Sequence, residues 1–250
     1  MNNMKITACV YRPWIRDSRL HIAREISSTA TGYSFPSGHT SAATTIYGSV
    51  ALWQKKKKWL AAIAVVLLLI TAFSRNWLGA HTIWDVLVAI VVGLVAIIIC
   101  EYVGRWIEKD EKRDKWVLIT VIVLCIISAI YVSVKSYPLD YLEDGTLLVD
   151  PWKMANDAWA ALGLVVGWVV AWYVEKKFID FDVNGSIGQK ILRGIAAAVV
   201  FLVGYMFVFE KVAIIVGGPC GAFLKRFLTT ITVLIMIPLC IRFIQDRRKK

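Results

Sequence analysis

His81-Thr82-Ile83-Trp84-Asp85-Val86-Leu87-Val88-Ala89-Ile90-Val91-Val92-Gly93-Leu94-Val95-Ala96-Ile97-Ile98-Ile99-Cys100-Glu101-Tyr102 begins with two ionisable side chains and then runs without a charge from Val86 to Cys100. At about 1.5 Å per residue, a helix over Thr82 to Tyr102 covers a hydrocarbon core of about 30 Å. The stretch therefore predicts a transmembrane helix. His81 and Asp85 are four residues apart, on one helix face, so the carboxylate is able to hold one imidazole nitrogen and leave the other free as a nucleophile. Ionisable groups at the head of a membrane helix are costly unless they are paired or have a function.

Working outward, apolar windows of similar length occur near Ser37 to Gln54, Trp59 to Ser74, Trp116 to Val134, Met154 to Val174, Ile191 to Phe209 and Phe227 to Phe243. With the first window they predict an all-α, polytopic transmembrane helical bundle of about seven helices. Between the last two, Val212 to Phe223 contains Gly217, Gly218 and Pro219 and reads as a loop or a short re-entrant piece. A chain that is 58% hydrophobic, with mean hydropathy +0.62, is too apolar for an ordinary soluble domain. The polar, Arg-rich N-terminus has no apolar core of a signal peptide, so insertion is assigned to the later helices.

A net charge of +11 would suit a nucleic-acid partner, but the basic residues follow topology instead. Lys55 to Lys58, then Arg105, Lys109, Lys112, Arg113 and Lys115, then Lys176, Lys177, Lys190 and Arg193, and finally Arg242, Arg247, Arg248, Lys249 and Lys250 fall on alternate connections. The connection from Tyr137 to Asp150 is acidic. The positive-inside rule puts the basic connections and the C-terminus in the cytoplasm, and Pro36 to Thr40 and Arg75 to Asp85 on the extracytoplasmic face of a plasma-membrane protein.

On that face His39 lies in Phe35-Pro36-Ser37-Gly38-His39-Thr40. Pro36 and Ser37 suit a helix start, and Gly38 allows a ligand close to the backbone. A helix N-terminus presents free N–H groups and favours an anion. Arg75 adds a cation of the shape that phosphate oxygens accept, and Lys5 and Arg12-Pro13 supply two more upstream. The residues thus describe a phosphate site at two helix ends.

These residues resemble three motifs of the type 2 phosphatidic acid phosphatase superfamily, which also includes vanadium haloperoxidases and bacterial acid phosphatases. K-x6-R-P is matched by Lys5 and Arg12-Pro13, P-S-G-H by Pro36 to His39, and S-R-x5-H-x3-D by Ser74-Arg75, His81 and Asp85. The resemblance covers about the first third of the chain. It implies that His81 attacks phosphorus to form a phosphohistidine, that Asp85 orients it, and that His39 protonates the leaving oxygen and then activates water. It implies that Lys5, Arg12 and Arg75 hold phosphate oxygens with Ser37 and the Gly38 amide, with no metal and no cofactor.

The implied substrate is a lipid phosphate or diphosphate: phosphatidic acid, diacylglycerol diphosphate or a polyprenyl diphosphate. Phosphotransfer to another alcohol, and a phospholipid-binding membrane protein without turnover, are the alternatives. The resemblance also implies helices before the first motif, so the chain is expected to be incomplete at its N-terminus. The expected organisation is a segment 1–36 with the first motif, a three-helix catalytic core 37–102, and a C-terminal membrane region 103–250 of about four extra helices.

Other patterns are assigned no chemistry. The five cysteines lack paired spacing. Gly163 and Gly167 form a G-x-x-x-G of the helix-packing kind. Asn156 and Asp157 read as interfacial, and the Asn184-Gly185-Ser186 acceptor falls on the cytoplasmic side. Trp53, Trp59, Trp77, Trp116, Trp152 and Trp159 lie near span ends, as an interfacial belt requires.

Overall fold

The computed structural model describes residues 1–17, 19, 20, 22, 30–54, 56–142 and 144–248, with side chains through residue 245. His21, Lys55, residues 23–29, Lys249 and Lys250 lie outside the described residues, and with them part of the N-terminal segment, of the lysine run and of the basic tail.

Among the described residues, two short helices, α1 (Asn2–Ala8) and α2 (Pro13–Arg16), precede the 16-residue α3 (Gly38–Trp53). Among the described residues six helices then have the length and apolarity to cross a membrane: α4 (Lys58–Trp77), α5 (Ile83–Ile107), α6 (Lys112–Val134), α7 (Pro151–Ile179), α8 (Ile187–Val216) and α9 (Gly218–Gln245). The chain is a polytopic membrane protein. Its helices expose rows of large apolar side chains, such as Leu69, Ile70 and Phe73 on α4 and Ile98 and Ile99 on α5. In water such faces would associate, whereas acyl chains cover them.

The later helices run further than their apolar windows, because polar and aromatic residues extend them into the interface. α8 starts at Ile187 behind a capping box of Ser186 and Gln189. The expected loop or re-entrant piece at Val212 to Phe223 is absent, since α8 continues to Val216 and α9 starts at Gly218. The turn needs only Gly217 and Gly218, at φ 72° and 52°, a conformation that side chains disfavour. Gly221 then lets the helices close on each other, since a Cβ there would lie 2.3 Å from the Ala213 carbonyl oxygen.

The chain forms two compact units. The first comprises Met1–Glu111 and Ser136–Met154. In it α3 packs along both α4 and α5. Asp85, Ala89, Gly93 and Ile97 form the buried stripe of α5, and small residues let α3 approach. A Cβ on Gly93 would meet Thr44 at 2.7 Å, and one on Gly48 would meet Ile97 at 2.9 Å. The loop before α7 folds onto the N-terminal segment: the Tyr11 hydroxyl donates to the Asp140 carboxylate, and Met154 Sδ lies where a side chain on Gly32 would stand.

The second unit comprises Lys112–Lys135 and Ala155–Lys250. The G-x-x-x-G of α7 is a packing device here. A Cβ on Gly163 would lie 2.2 Å from the Phe223 carbonyl oxygen, and one on Gly167 would lie 2.9 Å from Thr230. Asp114, buried in the first turn of α6, forms an ion pair with Lys176 at 2.9 Å.

Candidate active site

The first unit brings the start of α3, the start of α5 and the N-terminal segment to one place. The Ser37 amide donates to the Asp85 carbonyl at 3.0 Å, which ties the heads of α3 and α5 together. Each head is capped from its own sequence. Ser37 Oγ accepts from the Thr40 amide at 3.4 Å and from the Thr40 hydroxyl at 2.9 Å. Thr82 Oγ1 accepts from the Asp85 amide at 3.2 Å, while Asp85 Oδ2 accepts from the Thr82 amide at 2.7 Å.

Asp85 therefore serves two roles. The oxygen that closes the capping box also lies 3.5 Å from His81 Nδ1, an electrostatic contact at the limit of hydrogen bonding. Ser34 joins them: its hydroxyl donates to Asp85 Oδ2 at 2.5 Å and lies 3.3 Å from His81 Nδ1. The opposite ring nitrogen, Nε2, is 2.9 Å from Arg12 Nη1. A guanidinium only donates, so Nε2 is the unprotonated nitrogen and Nδ1 carries the hydrogen that faces Asp85.

His81 is 5% exposed. Burial pushes its pKa below the ordinary histidine value, the hydrogen-bonding carboxylate of Asp85 opposes this, and the charges of Arg12 and Lys5 add to the lowering. The imidazole is consequently neutral at neutral pH, with a lone pair on Nε2. The loop itself is held by the Arg75 carbonyl, which accepts from the Ala80 and His81 amides at 3.1 and 3.2 Å, and by the Asn76 side chain, which donates to the His81 carbonyl at 2.9 Å.

The cations come from separate stretches. Arg12 is 6% exposed, and its fork also donates to the carbonyls of Ala80 (2.9 Å), Gly32 (3.1 Å) and Thr31 (3.4 Å). Lys5 Nζ donates to the carbonyls of Tyr33 at 2.7 Å and Ser34 at 3.4 Å. Burial first, and then the charge of Arg12, pull the Lys5 ammonium down to about 8 against the pull of Asp85. Arg75 Nε donates to the Ser74 hydroxyl at 3.2 Å. His39 is exposed on the first turn of α3 and feels the charges of Arg75, Arg12 and Lys5. A Cβ built on Gly38 would lie 4.0 Å from Lys5 Cε, so the Lys5 side chain passes close to the head of α3.

All eight residues singled out in the sequence, Lys5, Arg12, Ser37, Gly38, His39, Arg75, His81 and Asp85, belong to this unit. His81, Asp85 and Arg12 are in direct contact, Lys5 approaches through the Tyr33 and Ser34 carbonyls, Arg75 holds the His81 amide through its own carbonyl, and His39 is reached by the charges of Arg75, Arg12 and Lys5. Sequence reasoning missed Ser34 and Asn76. The Thr82-x-x-Asp85 capping box was a legible signal, whereas nothing local to Ser34 pairs it with a carboxylate 51 residues away. Among the described residues no group of three or more His, Cys, Asp or Glu side chains converges as a metal site would.

Residues 1–109 match the model of the PAP2 superfamily. Phosphatidylglycerophosphatase B of Bacillus subtilis (strain 168) is 31% identical over 112 residues, covering 42% of this chain and 54% of that protein. The chain thus spans about half the length of the curated relative it matches. No solved structure matches the chain significantly.

Proposed function

We propose that the protein is a membrane lipid phosphatase that hydrolyses a phosphomonoester or diphosphate of a lipid through a phosphohistidine on His81. The observation that carries this reading is the polarity of the His81 ring: Nδ1 is turned to Asp85 and Ser34, and the unprotonated Nε2 is turned to the guanidinium of Arg12. A phosphate that draws the guanidinium onto its own oxygens uncovers the nitrogen lone pair beside the phosphorus. Nε2 then forms a bond to phosphorus as the P–O ester bond breaks, and His39 delivers a proton to the departing lipid oxygen. In the second half, His39 takes a proton from water, the water oxygen bonds to phosphorus and the P–N bond breaks. Arg12, Lys5 and Arg75 neutralise charge on the phosphoryl oxygens, with Ser37 and the Gly38 amide at the head of α3.

Charge placement on the connections supports a plasma-membrane protein with this site on the extracytoplasmic face, where the lipid chain stays in the bilayer. The name of the Bacillus relative adds phosphatidylglycerophosphate to phosphatidic acid, diacylglycerol diphosphate and polyprenyl diphosphate as candidate substrates. The test is phosphate release from this panel by purified, detergent-solubilised protein in the presence of chelator. Release from at least one lipid is expected. A folded protein that releases none would leave a phospholipid-binding role, and a product carrying phosphate on an added alcohol would mark a transferase.

The pH profile follows from the same geometry. kcat/KM reports the free enzyme. Because the His81 pKa is lowered, activity rises with pH through a midpoint below about 6.5, the ordinary histidine value. His39 must hold a proton to deliver it, and burial together with the charges of Arg75, Arg12 and Lys5 lowers its pKa, so kcat/KM falls again as His39 loses its proton. Lys5 loses its proton near about 8 and adds a second loss at higher pH. Lys5→Arg keeps the charge and is expected to remove that second loss while leaving the limb set by His39 in place, and a second loss unchanged in that variant would remove Lys5 from the phosphate site.

A further inference from the structure

We propose that the loop before α7 builds a chain-binding pocket beside the phosphate site and so selects long-chain lipid phosphates over short, soluble ones. The inference rests on the phosphatase reading and deepens it. A cavity of about 550 Å³ lies within the first unit, lined on one side by Trp14, Ile15 and Gly32 and on the other by Leu142, Leu147 and Leu148. That volume is within the usual range for small-molecule pockets. Arg12 lines it as well. The guanidinium of this lining residue touches His81 Nε2, so Arg12 connects the cavity with the nucleophile.

Hydrogen bonds hold the described residues of the loop that forms the second wall. An antiparallel bridge pairs Tyr141 with Leu147, the Leu142 amide donates to the Thr146 carbonyl at 2.7 Å, and the Leu148 amide donates to the Asp140 carbonyl at 2.9 Å. Gly145, at φ 79°, makes the turn, and Asp144 Oδ1 accepts from the Thr146 amide and hydroxyl. Tyr11 to Asp140 and Gly32 to Met154 then fasten this small hairpin to the segment that carries Arg12. A cavity lined by leucines and by Arg12 suits an amphiphile better than water: its phosphate reaches Arg12 and the first part of its alkyl chain covers the leucines. The loop lies beyond residue 109, where the superfamily match ends.

Two measurements test it. The first compares kcat/KM for dodecyl phosphate with that for butyl phosphate in wild type and Leu147→Trp, which fills the cavity. The dodecyl-to-butyl ratio is expected to fall by about tenfold or more, as loss of a few methylene contacts requires; an unchanged ratio overturns the proposal. The second uses wild type alone, with a dodecyl phosphate carrying a diazirine near the phosphate. Label is expected in residues 142–149, competed by dodecyl phosphate and much less by butyl phosphate. Label confined to other peptides overturns the pocket even if phosphate is released, and competable label in the loop with no phosphate release would retain the pocket while removing the phosphatase reading.

Discussion

His81→Ala is expected to lower kcat by about ten-thousand-fold or more while the folded protein survives. The loss is large because in the proposed mechanism the imidazole forms the bond to phosphorus, and neither Asp85 nor Ser34 is an equivalent nucleophile. The fold is expected to persist because the partners of His81 keep other bonds. Asp85 Oδ2 still accepts from the Thr82 amide and from Ser34, and Arg12 Nη1 still donates to the Ala80 carbonyl. Quenched turnover of a radiolabelled lipid phosphate should yield an acid-labile, base-stable phosphoprotein in wild type and none in the variant. Activity retained within tenfold, or label on a different residue, would remove His81 as the nucleophile.

How far the sequence alone carries depends on the range of each interaction. Six spans were legible because lipid imposes a length and an apolar composition on each helix separately, whereas the window from Ser37 to Gln54, read as a seventh, forms the 16-residue α3, which is not among those six. The His81 and Asp85 pair was legible for a related reason, since helix geometry makes residues four apart neighbours whatever the rest of the fold does. Helix ends were less legible: α8 and α9 meet at a two-glycine turn, where Val212 to Phe223 had suggested a loop or re-entrant piece.

Contacts across long separations had no local signature. Ser34 reaches Asp85, Arg12 reaches His81, and the loop after α6 packs on the N-terminal segment, because tertiary folding rather than periodicity brings them together. That loop was read from the sequence only as an acidic extracytoplasmic connection. The compact units reflect the same point, since the first unit is assembled from two separate stretches of chain.

Arg12→Lys is expected to reduce kcat/KM by about a hundred- to a thousand-fold, close to the loss in Arg12→Ala, although it preserves the positive charge. The reason is geometric. One guanidinium serves Ala80, His81, Gly32 and Thr31 at 2.9 to 3.4 Å, and its planar fork is able to turn two donors to a phosphate while others hold the backbone. An ammonium has three donors on a compact head and does not span these acceptors. Each buried carbonyl left without a donor costs about 1–3 kcal/mol, so both variants should also unfold at lower temperature. Stability and chemistry are separated by rescue. Added guanidinium ion should restore part of kcat to Arg12→Ala, where it enters the vacated space, and none to Arg12→Lys, where the new side chain occupies it. If Arg12→Lys keeps activity within tenfold of wild type, a point charge suffices at this position, and the proposed hand-over of the fork from His81 Nε2 to the phosphate is wrong.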